Sequence, residues 1–214
     1  KHNKKMARFD STPGKDIAVS LRINTRNGCR NIITDAFEYA KKFGRKSVTV
    51  VEKPNVIRET SGLMVRTARE VAKNYPAIEL WETNIDAMCM WLVKNPQDYS
   101  VLVTSNMFGD IVSDLCAQLV GGLGFASSGN IGAKYAVFEP TPGSAPKYPG
   151  MHKVNPMAML LTVKMMLDWL GEDAKADKLE AAIADVIKEG KARTYDMGGT
   201  STTLEIAEAV AARL

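Results

Sequence analysis

The sequence predicts a layered α/β protein, on three observations. Short β-branched runs alternate with helical apolar periods from residue 17 to about 120. Turn residues separate each run from the next. Two carboxylates then stand just past the end of a strand, where open α/β sheets place their ligands.

The elements follow in order. The polar, turn-rich 7–16 reads as loop, and I-A-V-S-L-R-I (17–23) alternates as a strand. From Cys29 to Phe43, the spacing of Ile32, Ile33, Ala36, Phe37 and Ala40 predicts a helix stopped by Gly44. S-V-T-V-V (47–51) is a strand, and a helix follows from about Thr60 to Asn74. I-E-L-W-E (78–82) is a short strand before a helix over Asp86–Val93, which N-P ends. S-V-L-V-T (100–104) leads into the helix bearing the carboxylates. Beyond it lie a glycine-rich stretch (120–132), a strand (135–139) and a long loop (138–150). Helices are expected over 155–170, 174–190 and 202–213. A domain change falls near the glycines, giving 1–128 and 129–214.

Composition narrows the function classes. The chain has 214 residues, 45% hydrophobic and 24% charged, enough to bury a real core. The net charge of +4 is mild and scattered, which argues against nucleic acid as a partner. No apolar run reaches the ~18 residues of a membrane span. Cys29, Cys89 and Cys116 lie far apart without metal-site spacing, so buried free thiols are expected. The basic start K-H-N-K-K reads as a solvated tail or linker, and the expected setting is the cytoplasm, with the mitochondrial matrix as the alternative.

T-S-N-M-F-G-D-I-V-S-D (104–114) carries the chemistry. Asp110 and Asp114 lie about 40° apart on one helix face. Ile111, Val112, Leu115, Cys116, Leu119 and Val120 are expected to cover the other side. Like charges at this spacing repel unless a cation lies between them. Either they are a capping and a solvated aspartate, or they are oxygen ligands for Mg²⁺ or Mn²⁺. Lys53 ends V-T-V-V-E-K, with Asn55 two residues on; it is a surface lysine or a proton-transfer group. Asp86 opens its helix as a cap or as a third carboxylate. In G-S-A-P-K-Y-P-G (143–150), Lys147 suits a phosphate and Tyr148 a base; the alternative is a loop closed by prolines.

Together these motifs resemble the isocitrate/isopropylmalate dehydrogenase family. N-M-F-G-D-I-V-S-D-L-C-A-Q-L-V-G-G-L-G-F-A-S-S-G-N-I-G is similar to its signature segment. F-E-P-T-P-G-S-A-P-K-Y-P-G with K-V-N-P resembles its adenine-binding loop, and V-E-K-P-N-V-I-R its catalytic-lysine segment. The resemblance implies a three-layer α/β/α fold that is not a true Rossmann domain, with the family's N-terminal part absent. It makes 1–128 an incomplete small domain for dimerisation, substrate and metal, and 129–214 part of the large cofactor-binding domain. It implies oxidative decarboxylation of a hydroxy acid, isocitrate first, with homoisocitrate or isopropylmalate as alternatives and a non-catalytic regulatory member as another. Asp86, Asp110 and Asp114 would bind Mg²⁺ or Mn²⁺. Lys53 and Asp86 would be catalytic, and Lys53 and Asn55 would meet substrate. Lys53 and Asp86 would come from the neighbouring subunit of a homodimer. Thr141, Gly143, Ser144, Ala145, Lys147, Tyr148, Val154, Asn155 and Tyr195 would bind NAD or NADP. Lys147, Tyr148 and Tyr195 lean toward NADP, whereas Gly199 stands where one NADP-using group has arginine. Pro142 replaces the family's histidine, Glu52 a histidine before the lysine, and Ser127 a proline.

Overall fold

The computed structural model describes residues 20–214. They form a mixed α/β fold with open sheets, in two compact units that divide at Gly109/Asp110. The strand expected over 17–23 lies partly outside the described residues, and 20–23 are irregular.

In the first unit, helix α1 (Arg26–Lys42) starts before the expected Cys29 because the Thr25 hydroxyl accepts from the Gly28 N–H. That cap offsets the poor helix formers Asn27 and Gly28. Cys29, Ile33, Ala36, Phe37 and Ala40 form its buried stripe. Strand β1 (Ser47–Glu52) is buried along its whole length, as suits the middle of a parallel sheet. Strands β2 (Glu79–Asn84) and β3 (Val101–Thr104) flank it, both parallel, in the order β2-β1-β3. Helix α2 (Arg58–Ala72) packs on α1. Val48 and Val50 of β1 join the core of Phe37, Met64 and Ala68. By alternation Thr49 and Val51 face the other side. Helix α3 (Ile85–Lys94), which buries Ile85, Met88 and Leu92, packs against β1 and β2. Burying each large side chain contributes about 2 kcal/mol.

The register matters most for the site. Glu52 lies opposite Asn84, and Val51 opposite Thr104. The three parallel strands therefore end together, and the residues that follow them emerge along one sheet edge. At the other end, Tyr75 stacks on Phe37, with centroids 4.9 Å apart, and donates to Glu38 Oε1 at 2.7 Å. That hydrogen bond, with lesser help from burial, pushes the phenol up to about 12. The neutral phenol is the favoured form. Its contribution to stability is present below the ordinary value of about 10 and is lost as pH rises through 12. Alkaline titration of phenolate absorbance is expected to show one late component, absent from Tyr75→Phe.

Helix α4 (Asn106–Leu119) follows β3. In the second unit, β4 (Ser127–Ile131) pairs antiparallel with β5 (Ala136–Pro140). β4 falls within the glycine-rich stretch, where no strand was expected. S-S-G-N-I has poor strand propensity, and pairing and packing override it: Gly129 lies under Phe138 and Met165. Helix α5 (Met157–Trp169) covers both strands, and α6 (Asp173–Glu189) packs on α5. Lys164 joins these helices, 3.0 Å from Asp168 and 2.9 Å from Glu180. Helix α7 (Thr203–Ala211) starts with a reciprocal Thr202–Glu205 capping box and closes the core of Met157, Ile183, Ile206 and Val210. Cys29 is buried, but Cys89 and Cys116 are only partly so, and none of the three is in a disulfide.

Candidate functional site

Lys53 leaves the end of β1 and Asp86 lies in the first turn of α3, just past β2. Lys53 Nζ stands 2.6 Å from Asp86 Oδ1, with the lysine 20% and the aspartate 66% exposed. Donation from Lys53 holds the Asp86 carboxyl below the usual carboxylate range, against its partial desolvation. Asp86 is not the cap residue, since Asn84 occupies that position. The Lys53 carbonyl accepts from the Val56 and Ile57 N–H groups in a tight turn, and Asn55 is exposed on it. The charged pair therefore stands on rigid backbone and opens to solvent on the aspartate side.

Asp110 and Asp114 are both exposed on α4. The buried positions of that helix are Phe108, Val112 and Ala117, whereas Ile111, Leu119 and Val120, expected to be covered, are open. Among the described residues, no group of three or more His, Cys, Asp or Glu stands together as a metal cage. The donor set still fits a hard cation. It is all carboxylate oxygen, exposed, with two donors one helical turn apart. Asp110 and Asp114 are the pair that would hold such an ion.

The second unit contains a cavity of about 520 Å³. Of the expected cofactor residues, Gly143, Ser144, Ala145, Tyr148, Val154 and Asn155 line it; Pro142 does so too. Thr141 lies on the same loop, its N–H bound to the Ala126 carbonyl, and Lys147 is exposed there. Tyr195 approaches from the turn before α7, its ring 5.9 Å from that of Tyr148. Partial desolvation first, and then the neighbouring Tyr148, raise its phenol above the ordinary value. The Asn155 side chain is already engaged: Oδ1 caps the Met157 N–H and Nδ2 donates to Asp196. A nucleotide would therefore meet Asn155 mainly through its backbone.

Sequence reasoning missed two cavity residues. His152 lines it with φ of 48°, and Lys153 places Nζ 4.9 Å from the Tyr195 ring centroid and 5.5 Å from that of Tyr148. A cation on two aromatic faces is a fit seat for an anionic ligand group. K-V-N-P held Lys153 in view, but only folding brings Tyr195 to it. The volume, the backbone-lined loop and this cation suit a nucleotide.

Gly199 has a physical reason. A Cβ there would collide with the Arg193 carbonyl oxygen and Cβ. Gly199→Arg is therefore expected to lower stability by about 2 kcal/mol or more through forced backbone movement, without tightening binding to 2′-phosphorylated nucleotide. Thermal melts and nucleotide titration of the variant check this.

Comparison with known proteins places the chain in a family. The family model described as isocitrate/isopropylmalate dehydrogenase matches residues 2–210. The chain is 49% identical over 199 residues to a 3-isopropylmalate dehydrogenase of Archaeoglobus fulgidus, covering 93% of this chain and 61% of that one. It is 44% identical to a probable mitochondrial NAD isocitrate dehydrogenase subunit alpha of Caenorhabditis elegans, covering 92% and 55%. The structure matches isocitrate dehydrogenase from Methylococcus capsulatus with a TM-score of 0.89 at 44% identity, covering 93% and 59%. The chain thus spans little more than half the length of these relatives. With the family model matched almost end to end, this chain belongs to the isocitrate/isopropylmalate dehydrogenase family.

Proposed function

We propose that the chain is the C-terminal part of an NAD(P)-linked, divalent-metal-dependent dehydrogenase that oxidises a malate-type hydroxy acid and releases its β-carboxylate as CO₂. The observation that carries this is the Lys53–Asp86 pair at the shared end of the parallel strands. Residues 1–128 then serve dimerisation, substrate and metal, and 129–214 the cofactor.

When bound, the metal supplies Lewis acidity and the nicotinamide a hydride acceptor. The chain's own residues do the rest. Lys53 Nζ exchanges a proton with the substrate oxygen once that oxygen replaces Asp86 as its partner. Asn55, on the adjoining turn, orients a substrate carboxylate. Tyr148, Tyr195 and Lys153 hold the nucleotide's charged end, which favours NADP. Lys53 and Asp86 of one copy serve Asp110 and Asp114 of a second, and the open apolar residues Met107, Ile111 and Leu119 on α4, with Val120 just past it, support such a dimer.

The substrate is a 3-substituted malate, and 3-isopropylmalate stands ahead of isocitrate. The 49% identity to the archaeal isopropylmalate enzyme supports that order over the 44% to the isocitrate relative. The test is NAD(P)H formation by the full-length protein with each acid, with and without a chelator. Metal-dependent turnover of one acid is expected. No turnover of either would sink the reading. It would favour a non-catalytic role, for which the 43% identity to a Dictyostelium discoideum isocitrate dehydrogenase regulatory subunit is the supporting observation.

A further inference from the structure

We infer that Glu52 is a positioning residue, a buried clamp that sets the place of Lys53 and locks the end of β1 to the start of α4. The inference rests on the proposed role of Lys53.

Glu52 is the last residue of β1 and is fully buried. A carboxylate there reaches neither substrate nor solvent, so it can act only through the groups it holds. It holds three. Ser61 Oγ of α2 donates to Oε2 at 2.6 Å. The Ser105 N–H, between β3 and α4, donates to Oε1 at 3.1 Å. Arg22 Nη2 lies 3.4 Å from both oxygens and also contacts Ser105 Oγ. Arg22 in turn lies over the Phe108 ring, 5.1 Å from its centroid.

The clamp reaches Lys53 by a short route. The Lys53 N–H donates to the same Ser61 Oγ at 3.4 Å. Ser61 thus receives from the Lys53 backbone and gives to Glu52, and its hydroxyl direction is set by the carboxylate. The peptide that aims Lys53 at Asp86 hangs on this relay. A buried charge is expensive unless hydrogen-bonded; here its bonds go to three separate segments, the start of α2, the β3–α4 junction and the stretch holding Arg22. An apolar side chain would fill the space without tying them.

The test uses the full-length protein with Glu52→Gln and Ser61→Ala. Gln keeps the shape, but its amide nitrogen faces a donor where the carboxylate accepted. Ser61→Ala breaks the relay while leaving Glu52 its other partners, so it stays informative if Glu52→Gln folds poorly. The first readout is the rate at which trace acetic anhydride labels Lys53, by mass spectrometry, relative to Lys41 of the same chain. It is independent of turnover. A rise of about fivefold is expected in both variants, as Lys53 loses its fixed partner. The second is kcat against KM: kcat is expected to fall about tenfold while KM for the nucleotide stays within about twofold. Lys53 labelling and kcat within twofold of wild type in folded variants would overturn the clamp. If the wild type turns over no hydroxy acid, the functional reading fails, and the labelling ratio still decides whether Glu52 positions Lys53.

Discussion

Lys53→Met is expected to lower kcat about a thousandfold, the usual scale for a lost proton-transfer group, and to leave folding intact. Methionine matches most of the lysine stem. The released Asp86 is 66% exposed and can be solvated, so no buried charge is stranded. The loss must therefore appear in kcat, with nucleotide affinity within about twofold, because the cavity of the second unit is lined by residues between Pro140 and Met159 and by Thr203, without Lys53. Steady-state kinetics beside a nucleotide titration separate the two quantities. Retention of a tenth or more of kcat would remove Lys53 from the chemistry.

Glu52→Ala is expected to lower stability by about 3 kcal/mol. The substitution strands three buried or half-buried donors, from Ser61, Ser105 and Arg22, and none is placed to reach water freely. Among the described residues Arg22 Nη1 has no partner, so the Ser105 hydroxyl and the Phe108 ring would be what remains to hold the guanidinium. For a unit of about 100 residues the loss corresponds to roughly 10 °C or more in melting temperature. Glu70→Ala is the control. Its partner Arg26 is also exposed, and the melt is expected to stay nearly unchanged. A second readout is Cys29. Burial pushes its thiol up first and the Glu52 charge pushes it further. Removing Glu52 should move that thiol back down and speed its alkylation at alkaline pH.

Much of the fold was legible because its signals are local. β1 announces itself as V-T-V-V, and α1 through the spacing of Ile33, Ala36, Phe37 and Ala40. Boundaries slipped where a single side chain decided them, as at Thr25. β4 was missed because Ser128, Gly129 and Asn130 carry no strand preference of their own, and their pairing with β5 is what makes them a strand.

The candidate site divides the same way. Lys53 and Asp86 could be named from sequence because they stand just past strands whose period is readable, and Asp110 and Asp114 because they share one face of the helix that follows a third. Their chemistry is that of the residue type: a long amine and short carboxylates. What the chain order could not contain is partnership. Glu52 read only as an odd residue beside a lysine. Its meaning comes from Ser61, Ser105 and Arg22, which lie 9, 53 and 30 positions away. Lys153 and Tyr195 likewise meet only across the turn before α7. At Gly199 the sequence shows only a missing arginine, and the fold adds that the Arg193 carbonyl leaves no room for a Cβ. Local order sets which residues stand at the strand ends, since periodicity and capping act over a few residues. Which of those residues bear on one another is a matter of sheet order and burial, because hydrogen bonds and desolvation depend on distance in space and not on distance along the chain.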